Sequence, residues 1–404
     1  MKPKNLKNIT CTGKRVFVRS DLNVPLKNKQ ILDDYRLQAI VPTLDYILQQ
    51  GGKVILATHL GRPKGQFDAN LSTRLLIPWF EKHGYSIDFA SDIAQAEQKS
   101  TQNFDTILLL ENLRFLPEER YSPNTLEAAQ KLAKKLSSLA SIYINDAFGV
   151  MHRNDTSVTL VPEYFDPEHR GIGFLVAKEI ETLENLKKHP KQPFVLVIGG
   201  SKLHDKIDMI EKFLQAPKSV RIKTIVAGGL IAQAFLYVQG YNMGIAPIDD
   251  QTQQIAKKIL TQAHDAGVTI ILPSDFYLEL THNFRSRALL IDQIPSNGVI
   301  VDIGPQTVDI FSHILAQAET IFANGTMGIY ETPAYAEGTK KVLQAISQSN
   351  AFSLIGGGDI NAAAHLFGVA KDIDFCSTGG GATLAFLGAE DPFEDLPGLH
   401  VLVK

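Results

Sequence analysis

The residues in this sequence best suited to chemistry are arginines in its first half and glycine loops in its second. Arg19, Asp21 and Asn23 follow the apolar run Val16–Val18. His59 and Arg62 follow Val54–Ala57, Arg114 follows Ile107–Leu110, and His152 and Arg153 follow Ile142–Ile144. Arg36 opens a helical pattern. Guanidinium forks match the oxygens of carboxylates and phosphates. In the second half the equivalent places are Gly199-Gly200-Ser201-Lys202, Gly228-Gly229, Asn324-Gly325-Thr326-Met327-Gly328, Gly356-Gly357-Gly358-Asp359 and Ser377-Thr378-Gly379-Gly380-Gly381. Glycine admits a ligand close to the main chain, whose N–H groups then hold phosphate, above all at a helix start.

Lys202 and Lys206 stand four residues apart, a spacing that places both on one face of a helix. Positive charge opposes the dipole at a helix start, so two lysines there imply an anion. Asp359 closes a glycine loop and suits Mg²⁺, which is commonly held by one carboxylate plus phosphates. Asp205 and Asp302 fit helix caps or ligands equally well. The sequence lacks GxxxxGK[ST], which excludes a P-loop kinase. The combination points to phosphoryl transfer between a nucleotide and a small anionic metabolite.

Those residues need elements to hold them at strand ends. Short β-branched apolar runs alternate with amphipathic helices throughout. In the second half the runs are Val195–Ile198, Thr224–Val226, Thr269–Leu272, Val299–Val301, Ile321–Phe322, Phe352–Ile355 and Asp374–Cys376. Continuous apolar strands of this kind indicate parallel sheets covered on both faces. Ligands of such sheets bind beyond the carboxyl ends of the strands. The helix that starts near Arg36 carries Leu37, Ile40, Val41, Leu44, Ile47 and Leu48 on one stripe and stops at Gly51-Gly52. The expected fold is α/β, two doubly wound, Rossmann-like domains joined by a hinge helix. The expected division is an N-terminal domain over 1–173, a connecting helix over 174–189 and a C-terminal domain over 190–387. The stretch 388–404, rich in proline and acid, does not read as a core element and is expected to pack back on the first domain.

The net charge of −3 carries no basic excess, which argues against a nucleic-acid or membrane-surface binder. Cys11 and Cys376 offer neither metal spacing nor a disulfide framework. No apolar run approaches the ~18 residues of a membrane helix, and the N-terminal stretch lacks the apolar segment of a signal peptide. A cytoplasmic protein is expected.

The segments RSDLNVPL, DDYRL, THLGRPKG, LLLENLRF, NDAFG, GGSKLHDKI, DIGP, NGTMG, GGGD and STGGGA give the chain a close resemblance to the phosphoglycerate kinases over essentially its whole length. The resemblance implies reversible phosphoryl transfer from 1,3-bisphosphoglycerate to ADP, giving 3-phosphoglycerate and ATP, with Mg²⁺ and no macromolecular partner, by a monomer. It implies that Asp21, Asn23, Arg36, His59, Arg62, Arg114 and Arg153 bind the glycerate. Lys202 would meet the nucleotide phosphates, with Gly200, Ser201, Gly228, Gly229, Asn324, Gly328, Gly357, Gly358 and Ile360 as further nucleotide contacts. Glu331 would meet the ribose and Asp359 the Mg²⁺. Arg36, Lys206, Gly380 and Gly381 would stabilise the phosphoryl group in flight. The sequence departs from the family pattern at Ala323 and Thr326, where Trp and Pro are usual, at Ile360, where Thr is usual, at His204, where a small residue is usual, and after Gly149. A kinase of a different small carboxylate or phosphate would use the same arginines, whereas the intact Arg36, Lys202, Lys206 and Asp359 argue against a nucleotide-binding regulatory or scaffold protein that has lost turnover.

Overall fold

A computed structural model describes residues 1–102, 106–281 and 284–404. Its chain clusters into two units, Met1–Thr182 with Glu390–Lys404, and Leu183–Ala389. The division falls inside the helix Phe174–Lys188, which runs from one unit into the other.

Unit 1 is built on the strands β1 (Arg15–Ser20), β2 (Lys53–Ala57), β3 (Ile87–Ala90), β4 (Ile107–Leu110), β5 (Ile142–Asp146) and β6 (Arg170–Ile172). They form a parallel sheet in the order β3-β4-β2-β1-β5-β6. In the central register Val16 lies between Val54 and Ile142. The inner strands are buried nearly end to end, as covered parallel strands must be. Helix Tyr35–Gln49 covers one face with Leu37, Ile40, Leu44 and Ile47, while Val41 and Leu48 pack at its margin. Each fully buried aliphatic side chain contributes about 1.5–3 kcal/mol. Gly51, at φ 73°, ends that helix.

Unit 2 contains β7 (Phe194–Ile198), β8 (Thr224–Ala227), β9 (Thr269–Ile271), β10 (Asp275–Thr281), β11 (Ile300–Ile303), β12 (Thr320–Asn324), β13 (Phe352–Gly356) and β14 (Phe375–Ser377). Its parallel sheet has the order β9-β8-β7-β12-β13-β14.

Two expectations need correction, and two strands of unit 1 were not anticipated. The run at Val299–Val301 does not enter the parallel sheet. As β11 it pairs antiparallel with β10, Tyr277 opposite Asp302, in a separate small sheet. The reason is legible in β10, where buried Phe276 and Leu278 alternate with partly exposed Tyr277 and Glu279, the pattern of a half-covered antiparallel strand. Strands β3 and β6 had no apolar run to announce them, because β3 is an edge strand and β6 is Arg-Gly-Ile. The last residues are also not peripheral. Helices Pro392–Asp395 and Pro397–Val403 bury Leu399, Val401 and Leu402, and a Cβ on Gly398 would lie 2.7 Å from Val158.

Candidate active site

The carboxyl ends of β1, β2, β4 and β5 carry the arginine cluster of unit 1. The loops behind it are tied by side chains. Thr58 Oγ1 accepts from Leu22 N at 2.9 Å, and Asn112 Nδ2 donates to Leu60 O and Leu71 O, both at 2.8 Å. Asn112 Oδ1 also accepts from Arg114 N at 3.1 Å, which fixes where Arg114 begins. Asn23 Oδ1 accepts from Gly61 N at 2.7 Å, and Arg114 Nη1 donates to Gly61 O at 2.8 Å. The 60–61 turn therefore sits between those two residues.

Asp21 is the hub. It pairs with Arg36 and lies 3.8 Å from His59 Nε2. Burial alone would raise its carboxyl, but the Arg36 guanidinium foremost, with Arg19, holds it well below the usual range. His59 is buried, and desolvation pushes its pKa down despite Asp21, so the imidazole is neutral at pH 7 and a hydrogen-bonding group rather than a cation. Burial and Arg153 likewise push His152 down to about 4.

Arg114 is 6% exposed, and burial lowers its pKa to about 10. Its Nη2 lies 3.8 Å from Asp155, and Arg120 Nε is 3.7 Å from the same carboxylate. Among the described residues the Arg114 Nε and Nη2 atoms have no hydrogen-bond partner. Arg153 lies within electrostatic reach of Asp155, Arg120, Asp21 and Arg62. Arg62, Lys64, Arg114 and Arg120 line a cavity of about 350 Å³. Asp155 faces both Arg114 and Arg120, and Glu119, already paired with Arg19, is the one carboxylate that borders the cavity, so its lining cations outnumber the lining carboxylate.

Arg19 does not face this cavity. It is wholly buried, donates to Ser157 Oγ at 2.7 Å and stands 3.7 Å from the equally buried Glu119. Breaking such a pair by removing one partner costs about 3–5 kcal/mol. Arg19 is the brace behind His59, whose Nδ1 is 3.4 Å from Arg19 Nη2.

In unit 2 the glycine loops interlock through their backbones. Gly199 N donates to Asn324 O at 2.9 Å, Gly200 N to Thr326 O at 2.7 Å, and Gly229 N to Met327 O at 3.0 Å. Gly229 has φ +58°, and a Cβ there would lie 2.7 Å from Gly200 N. Gly325, at φ +90°, would press a Cβ to 2.2 Å from Gly199 O. No other residue fits either place. Asn324 donates to Gly356 O and lies beside Gly357, and Gly357 in turn meets Gly380 at the start of helix Gly380–Gly388. Gly358 opens helix Gly358–Leu366 with no neighbour around its would-be Cβ, and Ile360 is buried one residue beyond exposed Asp359.

These loops border a cavity of about 330 Å³ whose lining includes Gly200, Ser201, Gly229, Gly328, Glu331 and Asp359. Lys202, Gly228, Asn324, Gly357, Gly358, Ile360, Gly380 and Gly381 do not line it. Lys206 is 7% exposed, and burial lowers its pKa while Asp205 and Asp359 oppose the shift and Lys202 adds to it. Lys202 and Lys206 are therefore neighbours of one another and of Asp359, but not as one face of a helix. Lys202 lies in a loop, and the first turn begins at His204. Asp302 is neither metal-like nor free. Its Oδ2 accepts from Gly338 N at 2.7 Å, capping helix Glu337–Gln348 from the neighbouring strand, and burial raises its pKa to about 7.

Sequence reasoning missed the apolar wall of this cavity, which includes Leu230, Phe276 and Ile300. It also missed Arg120 and Lys64 in unit 1. Arg120 follows a 3₁₀ turn rather than a strand, so a search of strand ends could not find it.

Parallel-sheet units, one lined by guanidinium groups and one by glycine loops around a buried lysine, define an α/β phosphotransferase of small anions. The phosphoglycerate kinase family profile matches residues 6–390. Two solved structures are similar over 99% of this chain and 98% of their own. They are the phosphoglycerate kinase of Coxiella burnetii, at 32% identity with a TM-score of 0.81, and that of Pyrococcus horikoshii, at 32% identity with a TM-score of 0.84. The chain belongs to the phosphoglycerate kinase family. Its reaction is the reversible phosphoryl transfer from 1,3-bisphosphoglycerate to ADP, giving 3-phosphoglycerate and ATP, a step of glycolysis. Among the described residues no helix is long and apolar enough to cross a membrane.

Proposed function

We propose that unit 1 binds the glycerate through Asp21, Asn23, Arg36, His59, Arg62, Arg114 and Arg153, and that unit 2 binds the nucleotide. The observation that carries this reading is Arg114, a buried guanidinium with two nitrogens lacking hydrogen-bond partners beside a cavity rich in cations. Such a group is costly unless an anion completes it. In unit 2, Gly200, Ser201, Gly228, Gly229, Asn324, Gly328, Gly357, Gly358 and Ile360 shape the nucleotide site. Lys202 meets the phosphates and Glu331 the ribose.

The chemistry needs no general base. The acceptor in ATP consumption is a carboxylate with a pKa of about 3.5, already ionised at pH 7. The barrier is the passage of a charged phosphoryl group between two anions, so positioning and electrostatics supply the catalysis. Lys206 and Arg36 bring positive charge to the equatorial oxygens, and the main chain at Gly380 and Gly381 adds donors. The resident metal fits Mg²⁺ held by Asp359. Its carboxylate is exposed at the cavity, and among the described residues no cluster of three acidic, His or Cys side chains forms an all-protein cage. Mg²⁺ bound there would neutralise phosphate charge.

The reading extends to hinge closure, since water reaching the acyl phosphate would hydrolyse it. The helix Phe174–Lys188 and the C-terminal segment would flex, in a monomer working in the cytoplasm. Small-angle scattering should show compaction only with both substrates present, and unchanged dimensions would contradict closure. The direct test of the assignment is a coupled assay with ATP, Mg²⁺ and 3-phosphoglycerate, read as NADH oxidation through glyceraldehyde-3-phosphate dehydrogenase. Asp359→Asn should raise the Mg²⁺ requirement at least tenfold, and an unchanged requirement would remove Asp359 from the metal site.

A further inference from the structure

Gln233 lies one turn into helix Gly229–Val238, whose sequence GLIAQAFLYV is otherwise apolar up to Tyr237. It is 5% exposed and lines the unit 2 cavity together with Leu230, Phe276, Ile300, Val301 and Ile329. Among the described residues, nothing donates to or accepts from its carboxamide. The other buried polar side chains on this wall are committed. Asp302 is taken by the amides of Gly338 and Ile303, and the Thr326 hydroxyl donates to Gly328 O at 3.1 Å. The carboxamide atoms open into the cavity rather than being sealed in the protein, so a ligand that fills the cavity must pair with them or leave them desolvated.

The place also indicates which part of a ligand it meets. Gly229 adjoins Gly200, in the loops that approach the phosphates. Four residues of helical rise carry Gln233 about 6 Å further along the helix. Around it the lining is apolar, as a planar ring requires. We infer that Gln233 is a specificity-determining residue that reads the base, pairing its C=O and N–H₂ with the N6 amino group and N7 of adenine. This rests on the assignment of the unit 2 cavity to the nucleotide. On that edge a 6-aminopurine offers one donor and one acceptor, which a carboxamide satisfies together, while a 6-oxopurine offers two acceptors.

The test compares ATP with ITP, which differ only in the base, by kcat/KM in the coupled assay and by calorimetric binding of ADP and IDP. Wild-type protein should prefer ATP by about 5–150-fold, the span of one bidentate base contact. Gln233→Leu, of similar volume, should bring that preference to within about threefold, mainly by weakening ATP. A wild-type preference below about threefold, or a Q233L preference equal to wild type, overturns the inference. Should Q233L melt early, Gln233→Met carries the same comparison with an unbranched chain. Ile300→Trp separates the two levels. A rise in KM for both nucleotides supports the cavity assignment, so that an unchanged ratio in Q233L then counts against Gln233 alone. If I300W leaves both KM values unchanged, the cavity assignment fails and the inference fails with it.

Discussion

Lys206→Met removes one buried positive charge and keeps most of the side-chain volume. Lys206 is 7% exposed, and burial already disfavours its charged form, so little water screens it. A unit charge about 4 Å from the charge developing on the phosphoryl oxygens, at an effective dielectric constant of about 20, is worth about 4 kcal/mol. That corresponds to about a thousandfold in kcat. Because the interaction strengthens as the group leaves one oxygen for the other, KM for ATP should change less than about fivefold. Stability should hold or rise slightly, since a desolvated cation is removed without leaving a buried carboxylate; its acidic neighbours Asp205 and Asp359 are exposed. The assay is the coupled reaction under saturating substrates, with thermal melts on the same samples. A fall in kcat below about threefold, or a loss that tracks a lowered melting temperature, would refute the electrostatic role.

Further outcomes follow from other residues. Gly229→Ala forces a Cβ to 2.7 Å from Gly200 N at φ +58°, so it should cost about 1–3 kcal/mol in melts and raise the ADP dissociation constant at least tenfold. Arg114→Met should raise KM for 3-phosphoglycerate by about 10–150-fold, the range for hydrogen bonds to a charged group, and leave the nucleotide KM within threefold. Asp146 caps the helix Phe174–Lys188 through Val176 N at 3.0 Å, and burial pushes its pKa up to about 7. The folded chain therefore binds a proton there that the unfolded chain, with a carboxyl near ~3.9, releases first. That part of stability is complete below about pH 4 and is lost as pH rises to about 7. Relative to Asp146→Asn, wild-type protein should lose melting temperature between about pH 4.5 and pH 7.5; a gain over that range would contradict the assignment.

Much of this was legible because strand-end chemistry follows the alternation of apolar runs and helices. Once Val16–Val18, Val54–Ala57, Ile107–Leu110 and Ile142–Ile144 are read as parallel strands, the residues just beyond them must gather at one end of a sheet, and Asp21, Asn23, His59 and Arg114 do. The sequence could not say which arginines stay available. Arg19 and Arg114 are alike in pattern, yet Arg19 is consumed by Glu119 and Ser157, a partnership set by chain segments more than 90 residues away. Spacing alone also misjudged Lys202 and Lys206, because a loop and a 3₁₀ turn intervene before the helix. The apolar wall of the unit 2 cavity escaped for a different reason. Phe276 and Ile300 sit in an antiparallel insertion, and the Val299–Val301 run by itself does not show that it pairs with β10 rather than joining the parallel sheet.

The account holds that each reactant has its own unit. Amide NMR titration of the whole chain tests this most directly. 3-Phosphoglycerate should shift Asn23, Gly61, Arg114 and Arg153, and ADP should shift Gly200, Gly229, Gly328 and Gln233. Perturbation of the same set of amides by both ligands would contradict it.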